Sequence, residues 1–531
     1  LTVTGNTRIG PASGGADQAT LTCNASAVSL GSGLTTDYGL TVVKGGTFVG
    51  GTGTHTMGSV FIDAFADAKC TLTNGVTTLD GEDSGGYTWR NNGGTFAHND
   101  GTVTTNSSVD TKIRENTFYN LIINQSSSGK FVYWEDTSGN TCTVANDLTI
   151  TMGRLRGLVA SDTVTVTGDV SVAADGTFNY SSVWTGAVNH GSLTIASGGT
   201  YSATSGTTEI TSAASNYAVT NNGTLTHNDG TFQITGGSNQ WLRGTGSGAY
   251  YNLISNNGSS VGLGIAGNLS VDNDLTINAS KNIGYTGPTY TVTVVGALTQ
   301  NGSVYTATLP TGAHSFGSIT IGAGGTWQAT SGVTSVLDGN FNNSGTFTHN
   351  GGKVLLRSHD KYINNTGTVE PVFYDLQLDQ SPTVAAGDIQ CVDGKNITIE
   401  NTLSTLTTGR LRPATMTVTL GTTTSAGNIL THAAGNDITP AGHNETCVFQ
   451  GASSLYPCTI GTYQPFEFGG KTGENWQFKW LDFQVALDTD TGGSNASTIT
   501  LTGDCEFDAV TVSAGDTLDI NGQRMECSGV L

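Results

Sequence analysis

The stretch Asn221–Ile234, NNGTLTHNDGTFQI, decides the fold, because the chain writes it twice more: NNGGTFAHNDGTV from Asn91 and NNSGTFTHNGGKV from Asn342. The three copies place His98, His227 and His349 at steps of 129 and 122 residues. Other landmarks keep that step. MGSVFI starts at Met57, HGSLTI at His190 and FGSITI at Phe316; FYNLII starts at Phe118, YYNLIS at Tyr250 and FYDLQL at Phe373. A looser set is ANDLTI from Ala145, DNDLTI from Asp272 and ENTLST from Glu400. Four landmarks in one order at one spacing define tandem repeats of about 125 residues. They divide the chain into a partial repeat at 1–39, repeats at 40–169, 170–295 and 296–439, and a diverged C-terminal unit, cap or junction at 440–531.

Inside each repeat a shorter beat recurs about every ten residues: short runs of period-two alternation such as TVTVTG from Thr163, closed by Gly-Gly, Asn-Gly or Asp-Gly. Three such strands make a coil of roughly twenty to thirty residues. A single coil cannot bury its own apolar side chains, whereas stacked coils share one interior. Composition agrees: Gly is 75 of 531 residues and charged residues are 11%, a poor supply for long helices. Hydrophobic residues at 36% suffice for a core and argue against disorder. The expectation is an all-β chain forming an elongated β-solenoid, parallel β-helix-like. The competing arrangement is a string of β-sandwich domains, against which stand the short strands and the lack of linkers.

Net charge is −21 and no basic stripe is evident, so nucleic acid is not an expected partner. No run of eighteen apolar residues exists and the first residues lack a signal-peptide pattern, so membrane insertion is not expected. The chain opens on Leu and reads as a processed product or a fragment. Eight cysteines show no zinc spacing. Cys447 with Cys458, and Cys505 with Cys527, are close enough in sequence to be candidate disulfides, the other reading being buried thiols.

NNGTLTHNDGTFQI followed by YYNLIS resembles the Gly/Asn/Thr-rich repeats of large bacterial surface adhesins and of virion fibre proteins of marine bacteriophages. The closing STITLTGDCEFDAVTVSAGDTLDINGQRMECSG is similar to the phage repeats in particular. The resemblance implies an elongated structural protein at a virion or cell surface, with a trimer as one assembly, and assigns no binding residues.

The repeated histidine shares a strand face with Phe96, Leu225 or Phe347, an expected inner face. Copies several coils apart cannot converge on one metal or catalytic site, so a core or corner histidine ahead of a turn is the expected role. Carboxylates that a polysaccharide hydrolase would need occur as Glu82 with Asp83, Glu135 with Asp136 and Asp488 with Asp490, none repeated in the sister units. The last pair, in DTDTGG, offers alternate acidic oxygens to Ca²⁺ but lacks the remaining loop ligands; no cofactor is otherwise expected. GRLRG and GRLRP put Arg154 and Arg156, and Arg410 and Arg412, at equivalent places, pointing outward beside an inward Leu. They are a candidate contact surface for acidic glycan or a neighbouring subunit, as are Trp476 and Trp480 in the diverged tail.

The expected function is non-enzymatic: a rigid extracellular or virion-surface fibre or adhesin segment that self-associates, as a filament or trimer, or joins neighbouring subunits and supports attachment. The alternatives are a tailspike-like polysaccharide-degrading enzyme and a lectin-like glycan-binding module.

Overall fold

A computed structural model describes residues 1–405, apart from 12–17, 115–116, 136–140, 158, 180–183, 212–216, 238–239, 258–261, 305–309, 358–360, 380–387 and 393–395, and then strand segments between 410 and 527. The described chain is all-β and forms a parallel β-solenoid. It divides into two compact halves, Leu1–Leu263 and Gly264–Leu531.

In the N-terminal half each coil contributes a strand to each of three ladders. The first ladder runs through Asn120–Asn124, Leu148–Gly157, Asp169–Asn179, Ser192–Ile195 and Tyr217–Asn221. The second runs through Thr111–Arg114, Phe131–Trp134, the later parts of Leu148–Gly157 and Asp169–Asn179, then Thr200–Ser202 and Thr224–Thr226. The third runs through Thr141–Val144, Thr163–Val166, Val188–His190, Thr207–Ile210, Thr231–Ile234 and Asn252–Ser255. Leu148 pairs with Val170 and Val170 with Leu193, steps of 22 and 23 residues that match the expected coil. Every described strand pair is parallel, so the antiparallel sandwich alternative fails: a partner one coil away is met in the same direction each time.

Period-two alternation sorts the side chains. Leu148, Val170, Leu193 and Val219 stack inward in register and are buried, while Thr149, Ser171, Thr194 and Thr220 occupy the alternate positions. Val132, Leu155, Phe178, Tyr201 and Leu225 form a second buried stack. Each fully buried aliphatic or aromatic side chain is worth about 1.5–3 kcal/mol in apolar area removed from water. No coil can realise that gain without its neighbours.

The C-terminal half follows the same rule. Leu269–Val271 pairs with Val292–Gln300, which pairs with His314–Ile321, then Val333–Val336 and Phe341–Asn343. Ile319, Phe341 and Ile363 stack inward, and Trp327 stacks on Phe347 with ring centroids 5.5 Å apart.

The repeated GS landmark now has a cause. A Cβ on Gly58, Gly191 or Gly317 would collide with the carbonyl oxygen of Gly31, Gly168 or Val295 one coil earlier. Only glycine lets the two backbones approach at that corner.

Candidate functional site: histidine turns and a face of cations and rings

His98, His227 and His349 each stand one residue beyond a short strand, at a corner. Alternation predicts an inner face, but the strands end at Ala97, Thr226 and Thr348 and the rings lie half-exposed, 28, 22 and 22% accessible. The two residues after each histidine have positive φ: Asn99 and Asp100, Asn228 and Asp229, Asn350 and Gly351. The turn closes when Gly101, Gly230 and Gly352 donate their N–H to the histidine carbonyl at 3.1, 3.0 and 3.0 Å. Nδ1 of each ring accepts a second backbone N–H, from Asp100 at 3.1 Å, Asp229 at 2.9 Å and Gly351 at 2.8 Å. That leaves the neutral ring's proton on Nε2, and in the third copy Nε2 lies 3.2 Å from the Glu400 carboxylate.

The FY and YY landmark completes the corner. Its first ring, Phe118, Tyr250 or Phe373, is buried in the core. Its second ring packs on the histidine of the preceding coil: Tyr119 on His98 at 5.5 Å, Tyr251 on His227 at 5.3 Å and Tyr374 on His349 at 5.7 Å. The next coil adds the last landmark, with Asn146 Nδ2 donating to Asn120 Oδ1 at 2.9 Å and Asn401 Nδ2 to Asp375 Oδ1 at 2.8 Å. The repeated histidine therefore ties a turn to the coil that follows it.

Among the described residues three other histidines are buried. His55 and His314 occupy the same place in the repeat, where the middle repeat has Val188. Among the described residues nothing lies in good hydrogen-bonding geometry to either ring nitrogen of His55 or His314. Burial, eased by the backbone at Gly50 and Tyr290, lowers the pKa of His55 and holds His314 down at about 4. His190 is wholly buried, with Nε2 2.7 Å from the Tyr201 hydroxyl, and burial takes its pKa down to about 3.

The second ladder of the N-terminal half carries an unusual outer surface. Tyr87, Lys112, Tyr133 and Arg156 stand in consecutive register, one per coil, with Tyr87 itself buried beneath its neighbours. Beside them Phe61, Arg90 and Arg114 form a second row, and Phe131 faces Arg154 in a third. In the first row rings and cations thus alternate at the rung spacing of about 4.8 Å. The Arg90 and Arg114 guanidinium carbons lie 4.9 and 5.1 Å from the Tyr87 ring centre, Lys112 Nζ lies 5.1 Å from it, and the Arg154 guanidinium carbon lies 5.2 Å from that of Phe131. Phe131 and Tyr133 stack at 5.4 Å, 13° from parallel. Inward-facing Trp89, Ile113, Val132, Trp134 and Leu155 are buried beneath these strands.

Two of the carboxylate candidates are built into this face. Asp83 is buried and accepts the Gly85 and Tyr87 N–H groups at 2.8 and 2.7 Å and the Tyr38 hydroxyl. Glu135 accepts Arg114 Nη2 at 2.9 Å and the Tyr87 hydroxyl. Burial first, then the bond to Asp83, pushes the Tyr38 pKa up to about 12; burial and the bond to Glu135 raise that of Tyr87. Glu82 is raised by burial and then by neighbouring Asp83 and Asp110.

The remaining sequence candidates fall elsewhere. Asp136, Asp490 and Trp480 lie outside the described residues. Asp488 ends the strand Ala486–Asp488, and Trp476 pairs with Cys447 and Ile499. Arg410 and Arg412 stand opposite Asp388 and Gln390. Cys447 and Cys458 lie on strands Thr446–Gln450 and Cys458–Thr462 of different ladders. Cys505 pairs with Met525 and Cys527 with Phe507, so the two cysteines are one rung apart and two residues out of register. That offset sets their Cα atoms about 8 Å apart, beyond disulfide reach, and the two are not joined to each other. Among the described residues no group of three or more His, Cys, Asp or Glu side chains is placed to hold a metal ion, and no helix is long and apolar enough to cross a membrane.

Sequence reasoning singled out Arg154 and Arg156 but missed Tyr87, Arg90, Lys112, Arg114, Phe131 and Tyr133. The signal was present as alternation in YTWRN, TKIR, FVYW and GRLRG, whose outer residues are rings and cations. It becomes visible only when the strands are set in register. No protein-family model, curated protein or solved structure matches the chain.

Proposed function

We propose that the chain is a non-enzymatic structural segment of an extracellular or virion-surface fibre or adhesin, self-associated as a filament or trimer or joined to neighbouring subunits, and supporting attachment or assembly. The observation that carries this reading is where the repeated chemistry goes. The landmark side chains with the strongest claim to a reaction, the three corner histidines, are engaged with the backbone of their own turn and the tyrosine of the next coil. Repetition is used for cohesion between coils, which is what a load-bearing rod requires.

A hydrolase reading asks for a carboxyl group able to deliver a proton across a scissile bond. Asp83 and Glu135 are instead occupied as acceptors of protein hydrogen bonds. Immunogold labelling of the source particles or cells, with antibody to the purified chain, tests the proposal. Label confined to projecting surface fibres is expected; label confined to the soluble fraction, or hydrolysis of polysaccharide by the purified chain, would refute it.

A further inference from the structure

We infer that the outward face carrying Lys112, Phe131, Tyr133 and Arg156, built over the buried Tyr87, is a binding site for an acidic polysaccharide, lying along the coils of the N-terminal half. This adds a ligand to the fibre reading without resting on it, since the face needs only the folded coils between Phe61 and Arg156.

Charge comes first. The chain carries 20 Lys and Arg against 41 Asp and Glu, yet Arg90, Lys112, Arg114, Lys130, Arg154 and Arg156 gather on a few adjacent rungs. Among the described residues no carboxylate is within ion-pair distance of Lys112, Lys130, Arg154 or Arg156, whereas Arg114 is held by Glu135 at 2.9 Å and Arg90 lies 4.0 Å from Asp83. Four cations on a protein of net charge −21 thus lack a carboxylate partner among the described residues, with Lys112 and Arg154 lying over the Tyr87 and Phe131 rings and Arg154 Nε donating to the Ser128 carbonyl at 3.3 Å. Cohesion of the coils does not require them: further along the row that contains Phe131 and Arg154, the same rung position is filled by Thr177, Thr200 and Thr224.

Shape and polarity then narrow the ligand. Phe61, Phe131 and Tyr133 keep part of their rings exposed on an outer strand face, where the apolar face of a sugar ring can stack as other flat partners do. Guanidinium groups are suited to bidentate capture of carboxylate or sulfate. A single-stranded nucleic acid would also use rings and cations. The backbone of single-stranded DNA offers acceptors only, whereas Glu82, Asp83, Asp110 and Glu135 lie in or beside the face, on a chain that is acidic overall. An acidic glycan carries hydroxyl donors on every sugar, which can donate to those carboxylates while its own anionic groups meet the cations. The acidic polysaccharide is the better fit.

The test uses the full chain and measures retention on immobilised alginate, with dextran as the neutral control and single-stranded DNA as the competing polymer. Wild type should be retained on alginate, elute on raising salt, and pass through dextran. Arg154→Gln with Arg156→Gln should weaken binding by about tenfold or more, as loss of two charge-assisted contacts implies. Tyr133→Leu, which keeps an apolar side chain but loses the flat ring, should weaken it by about fivefold, and Tyr133→Phe should restore it. Arg410→Gln with Arg412→Gln, opposite Asp388 and Gln390 rather than rings, should leave affinity unchanged; circular dichroism and melting temperature identify any variant that misfolds. No retention of wild type at low salt, equal loss in both arginine pairs, insensitivity to Tyr133→Leu, or tighter binding to single-stranded DNA would each overturn the inference. None of those outcomes bears on whether the chain is found in surface fibres.

Discussion

Replacing His314 by valine should remove part of the protein's sensitivity to acid. His314 lies in the core of the C-terminal half, 1% exposed, between the rings of Tyr285 at 5.5 Å and Phe316 at 6.2 Å. Its folded pKa is about 4 because burial penalises the charged ring. In the unfolded chain a histidine titrates near 6.5. The folded value is therefore depressed, so on acidification the unfolded state takes the proton first and stability falls as pH drops from about 6.5 toward 4. At pH 5 the gap is about 1.5 pH units at 1.36 kcal/mol each, or about 2 kcal/mol from this one residue. Valine is what the middle repeat carries at the equivalent position, Val188, which is fully buried there. Cavity and packing costs of the substitution are the same at both pH values and cancel in the difference. Since coils of a repeat array open locally, the assay is hydrogen exchange of peptides spanning His314–Ile321 and Val292–Gln300 at pH 7.5 and 5, corrected for intrinsic rates. The variant should lose about 2 kcal/mol less protection than wild type between the two conditions. Identical losses would show that the buried ring is not what acid attacks.

His227→Ala removes the acceptor for the Asp229 N–H and the ring packed on Tyr251, and should cost about 1–2 kcal/mol of local stability, read by exchange at Gly230 and Thr231; His227→Asn, which can accept the same N–H, should recover part of it. Gly191→Ala drives a methyl group into the Gly168 carbonyl and should abolish soluble expression or lower the melting temperature by well over the shift of His227→Ala; a variant as stable as wild type would mean that the coils can spread at that corner. No peptide linking Cys505 to Cys527 should be found in a digest made without reductant, and recovery of one would refute the two-residue offset between their strands. The alginate experiment above is the fifth test, and its arginine variants should also flatten the salt dependence of retention.

The fold was legible because its rules are local. A strand alternates, a corner needs glycine, and each landmark recurs at about 125 residues, so NNGTLTHNDGTFQI, YYNLIS and HGSLTI suffice for a solenoid. What alternation could not supply was the end of each strand. His227 reads as an inward residue two places after Leu225, yet the strand stops at Thr226 and the turn swings the ring out over its own backbone. The face was harder for a different reason. Tyr87, Lys112, Tyr133 and Arg156 are 25, 21 and 23 residues apart, and nothing short of the register joins them. The cysteine pair shows the converse, since nearness in sequence suggested a bond that a two-residue slip along the strand forbids.

Repetition itself separates the two kinds of residue. A side chain that every coil needs in order to pack must recur, and the corner histidine, its tyrosine partner and the GS glycine do recur. The cation and ring face recurs only in fragments. Tyr217 with Arg243 over its ring at 3.5 Å repeats Tyr87 with Arg114, but Trp241 replaces Lys112 and Thr220 replaces Arg90. Arg410 and Arg412 repeat Arg154 and Arg156, but Asp388 and Gln390 replace Phe131 and Tyr133. The sister repeats build coils of the same kind without the whole set, so packing alone does not explain why the first repeat holds all of it. A ligand that must span several rungs does, because it gains only where rings and cations stand together on one face.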